Sequence, residues 1–379
     1  MEAETAIFLL GTLERGGSET KFVRLAGRLH DAGWPVHVAW LGGSEALLDE
    51  LHPDVPRHAL RREGSFSPGA LMRLRKAAIK SGPGSVVCVN FFPMIYGWAL
   101  RRTARLPQLI ASINTTDLRG TREARFMALY APLLRRMDQV VFGSRRQQTQ
   151  WQTEFRIRAD ACRVVYNGVD SRRYSPPTSH ERDAARQRLG LASDALVFVS
   201  VAQLRPEKGH DHLINAFAGG GLPANRALLL VGDGVRREEL QSQARRLGLA
   251  DRVLFAGEQA DVRPWLRAAD VFVLASTAVE TFSNAALEAA ASGLPLVMTD
   301  IGGARELVGE QGYPWLVAPG DAGALESALT RLANEPGTLE QAGAAARARV
   351  LDRFTTRQMD TAWCDLLWPG VAAPRGAVA

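Results

Sequence analysis

Short apolar runs of four to six residues alternate along the chain with longer stretches whose apolar positions recur every three or four residues. In the first half the short runs are residues 6–10, 36–41, 85–90, 108–113, 139–143 and 163–166. Amphipathic stretches such as 18–31, 68–79 and 122–136 lie between them. This alternation predicts βαβ units and a parallel, doubly wound sheet covered on both faces. It pauses at 167–179, where Gly168, Pro176 and Pro177 gather with Ser and Thr, the chemistry of a linker. Strands are expected again at 196–202, 227–231, 252–256, 271–274 and 294–299.

The fold class is therefore α/β, with two successive doubly wound, Rossmann-like units. The expected boundaries are a first domain at 1–170, a hinge at 171–180 and a second domain at 181–354. A C-terminal helix at 355–369 follows, and an Ala/Pro/Gly tail at 370–379 is expected to be disordered. In open parallel sheets, ligands bind outside the carboxyl ends of the strands. Residues just after strands are the ones to examine.

Composition narrows the class. Hydrophobic content of 46% with 23% charged residues allows two sizeable cores. No apolar run approaches the ~18 residues that cross a bilayer, and the richest, 91–100, is interrupted by Pro93. Glu2 and Glu4 stand where a secretory signal would be basic, and Cys88, Cys162 and Cys364 form neither a disulfide framework nor a metal pattern. A cytoplasmic protein is expected. The net charge of +6 is uneven: 24 Lys+Arg against 16 Asp+Glu through Asp170, and 22 against 24 beyond it. The basic first half suits an anionic membrane surface or a phosphorylated acceptor, and equally an Arg-rich solvated surface. The basic amphipathic stretch 71–80 is the candidate for membrane contact. The arginines are dispersed and show no nucleic-acid reader motif, so no nucleic-acid partner is expected.

Four constellations carry chemistry. After the first strand, Gly11-Thr12-Leu13-Glu14-Arg15-Gly16-Gly17-Ser18 nearly matches a phosphate loop, but Gly17 stands where its lysine belongs. What remains is a Gly16-Gly17 turn that lets backbone N–H groups approach a ligand, or a plain tight turn. Gln203, Arg205, Lys208 and His210 gather between a strand and the start of a helix. Cations are misplaced at a helix N-terminus unless an anion joins them, and a diphosphate is such an anion; an exposed basic loop is the alternative. The third set is Glu280 with Phe282, Ser283, Asn284 and Glu288, a loop carboxylate and a helix carboxylate with seven residues between them. Ser283 and Asn284 suit a helix N-cap. Finally, Gly232-Asp233-Gly234 fails as a dinucleotide fingerprint, since Arg237 replaces the third glycine, and reads as a structural βα turn.

Lys208-Gly209, Gly232-Asp233-Gly234, Glu280 with Glu288, and Gly302-Gly303-Ala304-Arg305-Glu306 occur in one order at strand ends. Together they resemble the retaining glycosyltransferases of the GT-B fold, the group 1, family 4-like enzymes that include sucrose-phosphate, mannosyl- and lipopolysaccharide-core transferases. Gly16-Gly17-Ser18-Glu19 resembles that family's G-G-x-E, and Tyr166-Asn167-Gly168-Val169-Asp170 its N-G-V-D. Phe354-Thr355 and the helix after it resemble the segment that crosses back to the first domain.

The resemblance implies two facing Rossmann-like domains and a retaining, metal-independent transfer of a sugar from a nucleotide-diphosphate donor. The acceptor it implies is a glycan or lipid-linked saccharide, in bacterial cell-surface polysaccharide or lipopolysaccharide synthesis, on or near the inner face of the membrane. Lys208 then neutralises the donor diphosphate, Glu288 takes the ribose hydroxyls, and Glu280 lies against the sugar held by the Phe282–Asn284 backbone. Gly16 and Gly17 close over the phosphates. No D-x-D occurs, so neither a metal nor another cofactor is expected. Two departures stand out. Ala202-Gln203 replaces the family's Gly-Arg, with Arg205 as the substitute charge. Asn114 occupies the place of a frequent histidine, and can hydrogen-bond but not act as a base. A nucleotide-sugar epimerase or hydrolase, for which Asp117 is the one candidate group, and a non-catalytic nucleotide-sugar-binding subunit are the alternatives.

Overall fold

The computed structural model describes residues 3–64, 66–104, 108–114, 127, 130–309, 313–335 and 337–372. The chain divides into two compact units, one of Met1–Tyr166 with Met359–Ala379, the other of Asn167–Gln358.

The first unit holds a seven-stranded parallel sheet: β1 (Thr5–Leu10), β2 (Val36–Trp40), β3 (Arg57–Ala59), β4 (Pro83–Val89), β5 (Gln108–Ile113), β6 (Gln139–Phe142) and β7 (Cys162–Val164), in the order β3-β2-β1-β4-β5-β6-β7. Strand side chains alternate between faces, and here both faces are dry. Ile7 and Leu9 of β1 join one core cluster with Leu74, Tyr96 and Trp151. Ala6, Phe8 and Leu10 join another with Phe22, Leu25 and Trp363. This double burial is why β1 reads as continuously apolar.

The second unit repeats the plan with β8 (Leu196–Val201), β9 (Arg226–Val231), β10 (Val253–Gly257), β11 (Val271–Leu274), β12 (Leu296–Thr299) and β13 (Leu316–Val317), all parallel, in the order β10-β9-β8-β11-β12-β13. In both sheets the strand order reverses once, between β1 and β4 and between β8 and β11. A crevice opens at the carboxyl ends of those strands.

The structure departs from the sequence expectation in several places. The edge strands β3 and β13, three and two residues long, carry too little pattern to be anticipated. The apolar stretch 91–100, to which the sequence pattern assigned no element, lies in a helix, Phe91–Thr103. The expected first-domain residues 167–170 lie in the second unit instead. There Val169 bridges Thr355 and Asn167 Nδ2 donates to the Phe282 carbonyl at 2.9 Å. The expected hinge is also shorter, because Thr178 and Glu181 form a reciprocal capping box that starts the helix Ser179–Arg188. The amphipathic stretch 122–136 lies largely outside the described residues, as do Asp117 and the tail beyond residue 372.

The helix Thr356–Leu367 carries the chain back into the first unit. Trp363 packs edge-on against Phe22 at 5.2 Å, Trp368 stacks on Trp34 at 4.4 Å, and Arg28 grips Asp360 through two bonds of 2.7 and 2.8 Å.

Candidate active site

At the reversal of the second sheet, the loop after β8 and the loop after β11 are tied together. Thr277 N donates to the Glu207 carbonyl at 2.8 Å. Gly209, at φ +62°, ends a short 3₁₀ turn (Pro206–Lys208) and precedes the helix His210–Ala218. A Cβ at Gly209 would collide with the Ala275 carbonyl oxygen, so both backbone angle and space require glycine. Gly302, at φ +53°, lies equally tight against the Glu280 carbonyl, and Gly303 N donates to Thr281 O at 2.7 Å. Val279 holds φ +53°, a costly conformation for a β-branched residue, directly before Glu280.

These constraints bring Lys208 and Glu280 together: Lys208 Nζ lies 2.8 Å from Glu280 Oε2, with side chains 20% and 14% exposed. Ser276 Oγ donates to the same carboxylate oxygen at 3.3 Å. Arg205 and Gln203 are exposed on the same loop. His210 does not join them as a cation. Burial, and next the charge of Lys208, hold its pKa down to about 4, so it is neutral at pH 7. Neither ring nitrogen has a hydrogen-bond partner among the described residues.

Ser283 caps the helix Asn284–Ala291 by accepting from Ala286 N at 3.2 Å. Asn284 is exposed at its first position, while Phe282 is buried against Phe354, with ring centroids 5.1 Å apart. Glu288, on the same helix, accepts a hydrogen bond from the Tyr174 hydroxyl; burial and then the Glu288 charge push that phenol's pKa up. Sequence reasoning missed Tyr174 because it lies in the expected hinge, more than a hundred residues from its partner. Gly232, at φ +138°, and Gly234 press against the Ala202 and Leu204 carbonyls, which gives the Gly-Asp-Gly turn its structural role.

The first unit has its own polar group at the strand reversal. Gly16 precedes the helix Gly17–Asp31 after β1, and a Cβ on it would meet Glu19 Oε2 at 2.7 Å; at Gly17 the same space is open. Asn114, after β5, accepts from Lys21 Nζ at 2.6 Å and donates to Asn90 Oδ1 at 3.1 Å. Asn90, at the end of β4, takes φ +65°. Neither Lys21 nor Asn90 was anticipated.

Known proteins fit this picture. Residues 15–173 match the family model described as Glycosyltransferase Family 4, and residues 181–349 that described as Glycosyl transferases group 1. The lipopolysaccharide core biosynthesis mannosyltransferase LpsB of Rhizobium meliloti is 30% identical over 270 residues, 68% of this chain and 72% of the relative. The core glycosyltransferase LpsD of the same organism is 26% identical, over 94% of this chain and 96% of its own. Anabaena HepE, crystallised with UDP and glucose, superposes with a TM-score of 0.83 at 24% identity, covering 97% of this chain and 100% of that one. Two ordered parallel sheets, the tied loops that carry Lys208 and Glu280, and family models on both halves together make this chain a member of the group 1 glycosyltransferases of the GT-B fold.

Proposed function

We infer that the chain moves a hexosyl or related sugar from a nucleoside-diphosphate donor to a glycan or lipid-linked acceptor, with retained anomeric configuration, in lipopolysaccharide or related surface-polysaccharide synthesis. The observation that carries this reading is the half-buried Lys208–Glu280 pair at the strand reversal of the second unit. As the bond between the anomeric carbon and the diphosphate breaks, negative charge grows on the phosphate oxygens. Lys208, aided by Arg205, stabilises that charge from a fixed position, which is worth more than the same charge in water. Glu280 meets the sugar, the first N–H groups of the helix Asn284–Ala291 take hydroxyls, and Glu288 takes the ribose. The acceptor oxygen forms the new bond on the face the diphosphate leaves, and its proton passes to the departing phosphate. With charge neutralised by side chains, the reaction runs without a metal. The named roles of LpsB and LpsD in lipopolysaccharide core synthesis support the pathway, and the UDP and glucose bound by HepE support the donor class.

The test is a melting-temperature screen of UDP-, GDP- and ADP-sugars, followed by transfer of labelled sugar to cell-envelope extract. A ligand that binds the native state alone raises the melting temperature. Stabilisation by no donor, or donor turnover that ignores acceptor, contradicts the assignment.

The same reading places the enzyme on the inner face of an anionic membrane. Residues 64–116 contain seven Lys or Arg and no Asp or Glu. Of the six exposed large apolar side chains among the described residues, three are here: Phe66, Met72 and Ile79. Met72 and Ile79 share the solvent side of the helix Pro68–Ser81 with Lys76 and Lys80. Each basic residue near an anionic surface contributes about 1 kcal/mol. Flotation with phosphatidylglycerol vesicles at low salt, lost at high salt and in Met72→Asp/Ile79→Asp, is the expected result; no flotation at low salt would remove this part of the proposal.

A further inference from the structure

Lysine is rare in this chain. Of 46 basic residues 42 are arginine, and the four lysines are Lys21, Lys76, Lys80 and Lys208. Lys76 and Lys80 are exposed on one surface helix. The other two stand near the two strand-order reversals, one in each unit. Lysine offers what arginine does not: a compact charge, three rotatable donors, and a proton that it sheds when dried.

Lys21 heads a chain of hydrogen bonds that all point one way. Its Nζ donates to Asn114 Oδ1 at 2.6 Å, Asn114 Nδ2 to Asn90 Oδ1 at 3.1 Å, Asn90 Nδ2 to Ser18 Oγ at 3.1 Å, and Ser18 Oγ to Glu19 Oε2 at 2.6 Å. Ammonium and carboxylate stand at opposite ends, so flipping either amide breaks bonds on both sides. Asn90 holds its link in this chain at a strained φ of +65°. Such strain persists where the surroundings over-determine it, and it gathers at ligand sites. Among the described residues Lys21 Nζ meets one hydrogen-bond acceptor, which leaves two of its three N–H donors for a ligand. The ammonium lies 5.1 Å from the Phe22 ring, and burial brings its pKa down to about 8, although the Glu19 charge works the other way.

We propose that Lys21 is a ligand-binding residue of the first unit, its ammonium receiving an oxyanion, a phosphate or a carboxylate, carried by the acceptor. A half-buried cation gains from an anion beside it, and the chain through Asp170 is basic by 24 residues to 16. The ligand class rests on the glycosyltransferase reading above; the site itself rests on the geometry of the first unit.

Trace acetylation of the wild-type protein, read lysine by lysine by peptide mass spectrometry from pH 6 to 10, tests the proposal without requiring turnover. With four lysines each is followed separately, so the outcome stands whether or not a sugar donor is found. In sodium chloride, Lys21 reactivity should rise with a midpoint near pH 8. Inorganic phosphate at equal ionic strength should move that midpoint upward, because an anion favours the ammonium. At phosphate twice its dissociation constant, labelling of Lys21 should fall about threefold, with Lys76 and Lys80 unchanged. Glucuronate in a parallel arm separates a carboxylate-bearing acceptor from a phosphorylated one. Lys21 labelling that ignores both anions, or that falls only in step with Lys76 and Lys80, would overturn the assignment.

Discussion

Replacing Lys208 with Met asks what the Lys208–Glu280 pair is for. The two charges lie 2.8 Å apart with most of each side chain shielded from solvent. At an effective dielectric near 20, unit charges about 4 Å apart attract by about 4 kcal/mol, much of it spent on drying them. A diphosphate that recruits Lys208 gains a charge-assisted hydrogen bond, worth about 1.5–3 kcal/mol net. Lys208→Met should therefore weaken nucleoside-diphosphate binding about tenfold to a hundredfold. Glu280→Gln removes the carboxylate that competes for the lysine, so it should bind the nucleotide as well as wild type or better, while losing transfer. Stability gives an independent reading. Lys208→Met takes the ammonium from a half-buried carboxylate that keeps its bond from Ser276, and the double variant Lys208→Met/Glu280→Gln should recover part of that loss. Titration calorimetry with UDP, GDP and ADP, alongside urea denaturation, measures both. Unchanged affinity in folded Lys208→Met, or equal weakening in Glu280→Gln, refutes the reasoning.

Three further outcomes are expected. Gly209→Ala forces a side chain into the left-handed region, costing about 1–2 kcal/mol, and against the Ala275 carbonyl as well; a wild-type urea midpoint would contradict the turn geometry. Trp363→Ala empties a site that is 1% exposed and should cost about 3–5 kcal/mol, seen as early proteolysis within the first unit. His210 titrates near 4 in the folded chain against 6.5 for an ordinary histidine. The unfolded chain then takes up the proton first on acidification. Stability from this group is complete above about pH 6.5 and lost towards pH 4, by up to about 3 kcal/mol. Urea unfolding of His210→Asn should show a flatter pH dependence over that window, and an unchanged slope would exclude His210 as the source.

The longer strands of both sheets were legible because double burial makes them apolar throughout, and the order of Lys208, Glu280 and Glu288 along the chain already placed them after strands. What escaped was set by tertiary contact. β13 has two residues, and no periodicity survives at that length. Lys21 reads as an ordinary polar position of an amphipathic helix, and only the turn of Asn90 and Asn114 toward it reveals otherwise; the scarcity of lysine was the available signal. His210 looked like a third cation in its loop, but charge at that position depends on burial, which the local sequence does not encode.

The return of the C-terminal helix has a consequence for synthesis. Phe8 and Phe22 are synthesised more than 300 residues before Trp363, which packs against both. The second unit is continuous in sequence and can close while the chain is still being made. The first must wait, with part of its apolar surface uncovered, and a nascent chain stopped before Met359 would be a substrate for chaperones.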